Sequence, residues 1–263
     1  MSHQNDLAKT LKALHKPGSP LVLANIWDAI TAQAVASLPQ TKALATASYA
    51  IALAAGVEDP KLTLDVNLHA IEGIARIAEQ HNKPLTADFQ DGYGDALEEG
   101  VKSLAKLGVV GCNLEDFDRE RDGLYTVDEA VSRIKLVLQT AASLGVPDFV
   151  VNARTDALVT GLSIDEAIAR GKAYLDAGAT SAFIWGGRER ATPGMRTEEV
   201  VQAAKELGWR LNVSLVRIRP GGLSVRELGE IGVCRISVGP QLMMRTVGAV
   251  GEEAERVYAG EAV

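Results

Sequence analysis

The sequence predicts a (β/α)8 TIM barrel, a single domain over residues 1–263 with a helical leader ahead of the first strand. Short β-type runs alternate with amphipathic helical stretches to the end of the chain, and the runs number eight. They are apolar throughout rather than alternating, as strands are when both faces of a parallel sheet are covered. Eight such units in 263 residues match the size of this barrel. The alternative is a doubly wound open sheet, which usually carries G-x-G-x-x-G after its first strand. Here that turn reads "NIWDAI" from Asn25.

The strands are expected at Leu21–Asn25, Ala43–Ser48, Pro84–Asp88, Val109–Asp116, Asp148–Arg154, Ser181–Trp185, Arg210–Leu215 and Val233–Val238. Helices are expected at Trp27–Ser37, Leu62–Glu79, Leu97–Leu107, Val127–Leu144, Ile164–Ala177, Thr197–Leu207 and Ser224–Glu230. Thr126 with Glu129, and Ser163 with Glu166, form capping-box patterns. Gly108, Gly145, Gly178 and Gly208 follow helical stretches where a helix stops. In the leader, 1–20, a helix over Asp6–His15 is expected to cap the closed end of the barrel. The tail, 240–263, holds a last helix from about Pro240 to Tyr258.

Composition narrows the function classes. Hydrophobic residues make up 47% of the chain, in runs too short to span a membrane. "MSHQNDLAKTLKALHK" has no apolar core of a secretory signal. A cytoplasmic protein without membrane partners is expected. The net charge of −7, with no basic stripe and 5% aromatics, argues against nucleic acid. Cys112 and Cys234 each lie in an apolar run, so they read as small buried residues.

In a (β/α)8 barrel, chemistry gathers at the C-terminal strand ends. Here those ends carry Asn25 and Asp28; Ser48 and Tyr49; Asp88 and Asp91; Asn113, Glu115 and Asp116; Asn152, Arg154 and Asp156; Asn212 and Ser214. So many polar groups closing apolar runs would be costly in a sealed core. Together they describe one wet, acidic pocket with a single strand-borne arginine. Asp28 reads equally as a helix cap, and Asp95 reads as the N-cap of the helix from Leu97. Arg154 suits either a neighbouring carboxylate or a substrate carboxylate, through its two-pronged fork.

None of the four histidines (His3, His15, His69, His81) ends a strand, which disfavours a histidine triad or histidine-ligated zinc. Oxygen-only ligands favour Mg²⁺, or Mn²⁺, keeping part of its water shell. The cluster in "LTADFQDGYGDAL", with Asp88 and Asp91, is therefore expected to hold a divalent metal. Gly92 and Gly94 would let backbone come close to metal or substrate.

These residues resemble the phosphoenolpyruvate mutase/isocitrate lyase superfamily. The likeness rests on "NIWDA", "ATASYAIALAAGVEDP", "ADFQDGYGD", "GCNLED", "VNARTDA" and "DAGATSAFIW", in that order between about Leu21 and Gly239. The resemblance implies a (β/α)8 barrel that binds Mg²⁺ and an α-oxo or related carboxylate. It implies making or breaking a C–C or P–C bond beside a pyruvate-type enolate. By position, Asp88 resembles the direct metal ligand and Glu115 a carboxylate reaching metal-bound water. Arg154 resembles the substrate-carboxylate arginine, Asp59 a catalytic loop aspartate, and Asn212 a strand-seven substrate contact. Ser48 and Tyr49 fall where the substrate is cradled. Metal-bound water, Tyr49 and Asp59 remain open as proton donor. Dimers or tetramers, often with the last helix exchanged, are implied as well.

Two departures stand out. The family's Asp-Ala-Asp-x-Gly-Tyr-Gly appears here as Asp88-Phe89-Gln90-Asp91-Gly92-Tyr93-Gly94. The lyase loop with its Lys-Lys/Arg-Cys-Gly-His is replaced by "FDRERDGLYTVDE", which also lacks the mutase pattern. Arg119 and Arg121 in it read first as solvated surface, and alternatively as contacts for an anionic substrate. The expected function is a Mg²⁺-dependent lyase or decarboxylase of a small oxo- or hydroxy-dicarboxylic acid. A phosphonopyruvate-type P–C mutase or hydrolase is the alternative, and a non-catalytic metabolite-binding barrel the second.

Overall fold

The computed structural model describes residues 3–187, 193–215 and 222–261. After α1 (His3–Ala13) the first strand comes in two pieces, β1 (Leu21–Leu23) and β2 (Asn25–Ile26), followed by α2 (Ala29–Ala36), β3 (Leu44–Thr46) and α3 (Ser48–Ala54). Next are α4 (Leu64–Gln80), β4 (Leu85–Asp88), α5 (Leu97–Lys106) and β5 (Gly111–Glu115). A small hairpin, β6 (Phe117–Asp118) with β7 (Gly123–Leu124), precedes α6 (Val127–Ser143) and β8 (Val150–Thr155). The chain ends with α7 (Ile164–Asp176), β9 (Ser181–Ile184), α8 (Thr197–Glu206), β10 (Leu211–Ser214), α9 (Val225–Ile231), β11 (Arg235–Ser237) and α10 (Gln241–Tyr258).

The sheet is parallel in the order β1-β11-β10-β9-β8-β5-β4-β3-β2. Leu21 pairs with Arg235 on one side, and Asn25 pairs with Ala45 on the other. The two pieces of the first run therefore bring the ring together, as expected of a (β/α)8 barrel. Crossovers through helices hold the strands parallel and bury both faces. Along α6, Ala130, Ile134, Val137 and Ala141 recur at helical spacing and are buried. Burying a side chain such as Ile134 or Val137 contributes about 1.5–3 kcal/mol.

Local signals act where the sequence places them. Thr126 and Glu129 form the reciprocal capping box of α6, while Ser163 accepts from Glu166 N–H at the start of α7. Asp28 caps α2 through Thr31 N–H. Asp95 does not cap α5: it lies inside a 3₁₀ turn, Gly94–Ala96, and α5 begins after Ala96 with no side-chain cap. The short helix α3 is not expected from the sequence. Its residues, SYAIALA, continue an apolar run and follow Ala47, which offers no capping oxygen.

Helix α1 closes the N-terminal end of the barrel. Gln4 Nε2 donates to Ala105 O and Val109 O, and Leu11 reaches the start of β5. Only glycine fits at Gly111, because a Cβ there would stand 2.7 Å from Val150 O and 3.0 Å from Leu11 Cδ2. Among the described residues no helix is long and apolar enough to cross a membrane.

Candidate active site

The opposite, C-terminal end of the barrel opens into a pocket of about 370 Å³. Asp88, Asn113, Asn25, Ser48 and Asp59 line its polar side; Phe183, Trp185, Val159 and Pro240 line the apolar side, with Arg154 between them. Tyr49, 36% exposed, stands at the rim.

Asp88 ends β4, where alternation along the strand turns it into the pocket. Its Oδ2 accepts the Ser48 N–H at 2.9 Å, from the first turn of α3, and Asn113 Nδ2 lies 3.4 Å from Oδ1. Behind it, the Asp88 N–H donates to Thr46 Oγ1, and its carbonyl accepts from Asn67 Nδ2. A ladder of polar side chains inside the barrel sets the Asn113 amide. Ser181 Oγ donates to Asn152 Oδ1 at 2.6 Å, and Asn152 Nδ2 donates to Asn113 Oδ1 at 2.8 Å. Arg235 Nη2 donates to the same oxygen at 3.0 Å. Two donors on Oδ1 leave the Asn113 NH₂ to face Asp88.

Arg154 is held on three sides. Its Nη1 donates to Glu115 Oε1 at 2.7 Å, while Nε and Nη2 grip Asp156 at 2.7 and 3.0 Å. The guanidinium also lies 5.3 Å from the Trp185 ring centroid and 5.7 Å from that of Phe183. Burial opposes its charge, but Asp156 and Glu115 outweigh burial and hold the proton on. One cation cannot neutralise every carboxylate around it. Burial therefore pushes Glu115 up to about 8, with Asp156 and Asp88 adding to the rise and Arg154 opposing it.

Asp59 opens a 3₁₀ turn, Asp59–Lys61, and faces the pocket beside Ser48. Burial raises its pKa, Arg119 opposes, and the charge of Asp88 adds to the rise.

Four expected residues lie away from the open pocket. Asp91 is buried in its own turn, where Oδ1 accepts Tyr93 N–H and Oδ2 meets Tyr125 OH at 3.5 Å. It does not line the pocket that Asp88 lines, so it is not placed there as a metal ligand. Gly92 packs against Leu97 and Leu114; a Cβ there would come within 2.3 Å of Leu97 Cδ1. Its freedom serves helix packing rather than approach to a substrate. Asn212 is fully buried and bonded to Ser237, whereas Ser214 of the same strand reaches the pocket. Glu115 stands behind Arg154 rather than on the pocket lining.

Sequence reading overlooks two contributors. Trp185 and Phe183 form a wall, signalled only by aromatics at the end of an apolar run. Arg235 lies fully buried in the barrel, signalled by one charge inside "VCRISV".

The phosphoenolpyruvate phosphomutase family profile matches residues 11–258. The chain belongs to this family. Among its relatives is 2,3-dimethylmalate lyase of Eubacterium barkeri, 32% identical over 191 residues, 68% of this chain and 61% of that one. Oxaloacetate decarboxylase of Pseudomonas syringae pv. tomato is 29% identical over 197 residues, 72% of this chain and 65% of that one. Among solved structures, a Burkholderia cenocepacia J2315 protein provisionally named a phosphonomutase superposes with a TM-score of 0.83 at 32% identity, covering 98% and 99% of the two chains.

In this phosphoenolpyruvate phosphomutase family member, the donor set for a metal is sparse. Among the described residues no three His, Cys, Asp or Glu side chains converge as a ready-made cage. Asp88 and Asp59 are the carboxylates on the pocket lining, and Asp88 has the Asn113 amide beside it. That suits Mg²⁺, which keeps several waters and takes one or two carboxylates, better than a metal needing a closed protein shell.

Proposed function

We propose that the protein is a Mg²⁺-dependent lyase or decarboxylase of a small oxo- or hydroxy-dicarboxylic acid, working through a pyruvate-type enolate. The observation that carries this is the pairing of Asp88 and Arg154 across one pocket. The first offers an anionic oxygen for a metal, and the second offers a rigid cation for a substrate carboxylate. Asp88 would hold Mg²⁺, with Glu115 reaching its bound water, and the ion would supply positive charge for the developing enolate oxygen.

The chain's own groups do the rest. Arg154, braced by Asp156 and Glu115, orients the substrate carboxylate toward the pocket centre. Ser48 N–H and Asn113 hold the Asp88 carboxylate in a single rotamer. Trp185 and Phe183 exclude water from one side, which strengthens every charge interaction within. Asp59 is favoured over Tyr49 as the proton carrier, because burial raises its pKa while it still faces the pocket.

The test is calorimetric titration of Mg²⁺ into chelator-stripped protein, with and without oxalate, a mimic of the pyruvate enolate. Mg²⁺-dependent oxalate binding that disappears in Asp88→Ala, with the far-UV spectrum unchanged, is the expected result. Binding that survives in Asp88→Ala, or no binding in the wild type, overturns the reading. A screen of oxo and hydroxy diacids then identifies the bond broken. The family's name favours a second reading, P–C chemistry, for which phosphonopyruvate would release or move phosphate.

We also propose that copies of the chain associate through α10. Of its residues Met243 is buried, whereas Met244, Val247, Val250 and Val257 form an exposed stripe. Val22, on the outer face of β1, is left 41% exposed beside a groove lined by Leu14, Lys16 and Lys42. A partner's apolar helix with Glu252 and Glu255 on it matches that groove in polarity and charge.

A further inference from the structure

We propose that Gln90 and Arg119 are positioning residues that clasp Asp59 against the pocket wall. Both N–H bonds of the Gln90 amide go to the same residue. Nε2 donates to Asp59 Oδ1 at 2.9 Å and to Asp59 O at 3.1 Å. Arg119, from the loop of the β6–β7 hairpin, donates through Nη1 to that carbonyl at 3.0 Å, and its Nη2 lies 3.9 Å from Asp59 Oδ2. Main chain and carboxylate are thus gripped together, which fixes both where the segment runs and which way its side chain points.

Three further observations fit a built clasp rather than an incidental contact. Gln90 is fully buried, and its backbone has φ +52°, a left-handed conformation that a non-glycine side chain adopts only when its surroundings enforce it. Its carbonyl accepts Glu115 N–H at 2.8 Å, tying the clasp to the end of β5. Finally, among the described residues its Oε1 has no partner, so the amide's hydrogen bonds there go to Asp59. A carboxylate at this position would have no N–H to give and would face the charge of Asp59. An amide here is the chemically fitting choice.

The consequence is a division of labour between two neighbouring positions. Asp88 faces the pocket, and Gln90, two residues later, holds the segment that brings Asp59 beside it. What Asp59 is held for rests on the function proposed above; the clasp itself does not.

The experiment is hydrogen–deuterium exchange with mass spectrometry on the full chain, wild type, Gln90→Leu, Arg119→Met and Arg119→Lys. The probes are the Lys61 and Leu62 amides, bonded to Glu58 O and Asp59 O. Losing the donors in Gln90→Leu is expected to speed their exchange about tenfold or more. Arg119→Met, at a partly exposed position whose loss should leave the fold intact, gives a smaller rise, and Arg119→Lys restores most of the protection. Peptides of α6 and α7 should not change. Oxalate affinity should stay within about threefold of wild type, and turnover of any acid the wild type cleaves should fall in kcat more than in KM. Unchanged exchange at Lys61 and Leu62 in both Gln90→Leu and Arg119→Met overturns the clasp. Wild-type protein that binds no oxalate while the exchange result holds overturns the function and leaves the clasp standing.

Discussion

Arg154 and Asp156 lie two residues apart and meet through two parallel hydrogen bonds, Nε to Oδ1 at 2.7 Å and Nη2 to Oδ2 at 3.0 Å. Asp156 is itself fixed, because its N–H donates to Asp116 Oδ1, and Asp116 is anchored by Tyr174 OH at 2.6 Å. Charge-assisted bonds of this two-pronged kind set direction as well as energy. Asp156→Asn keeps the volume and one acceptor but frees the guanidinium to tilt. Oxalate affinity should fall about tenfold, and stability should fall as well, because the buried guanidinium loses its counter-charge and an amide NH₂ faces one of its N–H groups. Asp156→Ala breaks a buried pair and should cost about 3–5 kcal/mol. Calorimetry and urea unfolding separate the two effects. Equal oxalate affinity in wild type and Asp156→Asn would show that Arg154 needs no such brace.

A second prediction concerns the buried cation. Arg235 is 1% exposed, and among the described residues it has no salt-bridged carboxylate and its Nε and Nη1 have no partner. Burial pulls its pKa down to about 10. Arg235→Met removes that buried charge at similar volume and should stabilise the fold. The same change takes one of two donors from Asn113 Oδ1, freeing the amide that faces Asp88, so Mg²⁺-dependent oxalate binding should weaken. Thermal unfolding and calorimetry on the same samples check both. A less stable variant with unaltered binding would contradict the account.

The barrel was legible because its signals are local and repeated: eight apolar runs, capping residues, and glycines at helix ends. Helix α3 was not, since a short apolar segment without a capping side chain reads like more strand. At the site, polar residues at strand ends marked Asp88, Asn113 and Arg154, which alternation turns into the pocket. Gln90 and Asp91 stood out as departures, yet their directions depend on a left-handed turn at Gln90 that composition does not encode. Asn212 lies one layer below the pocket on its strand, and Ser214, two residues on, reaches it instead. Arg235 went unread because its partner, Asn113, is 122 residues away.

The stripe on α10 predicts assembly. Val247 is 60% and Val250 64% exposed, one turn apart on one face. The wild type should run as a dimer or larger species in light scattering at micromolar concentration. Val247→Glu with Val250→Glu should weaken association about 100-fold or more while far-UV signal is kept, since neither residue supports the barrel. A wild type that stays monomeric at high concentration would end this proposal.

The last prediction uses His15, at the closed end of the barrel. Its Nδ1 bonds to Leu11 O at 2.9 Å, so the neutral ring carries its proton there, and among the described residues the buried Nε2 has no partner. Burial first, and then the nearby Arg235 charge, bring its pKa down from 6.5 to about 4. The unfolded chain takes up a proton below pH 6.5 that the folded chain refuses. Stability is therefore full above 6.5 and falls as the pH drops toward 4. Between pH 7.5 and 4.5 this one group should cost the wild type about 2.5 kcal/mol. His15→Gln keeps a donor for Leu11 O but does not titrate, so its stability should lose correspondingly less over the same range. Urea unfolding of both proteins at the two pH values measures the difference. Equal losses would mean that His15 is charged in the folded protein, and that the closed end admits water.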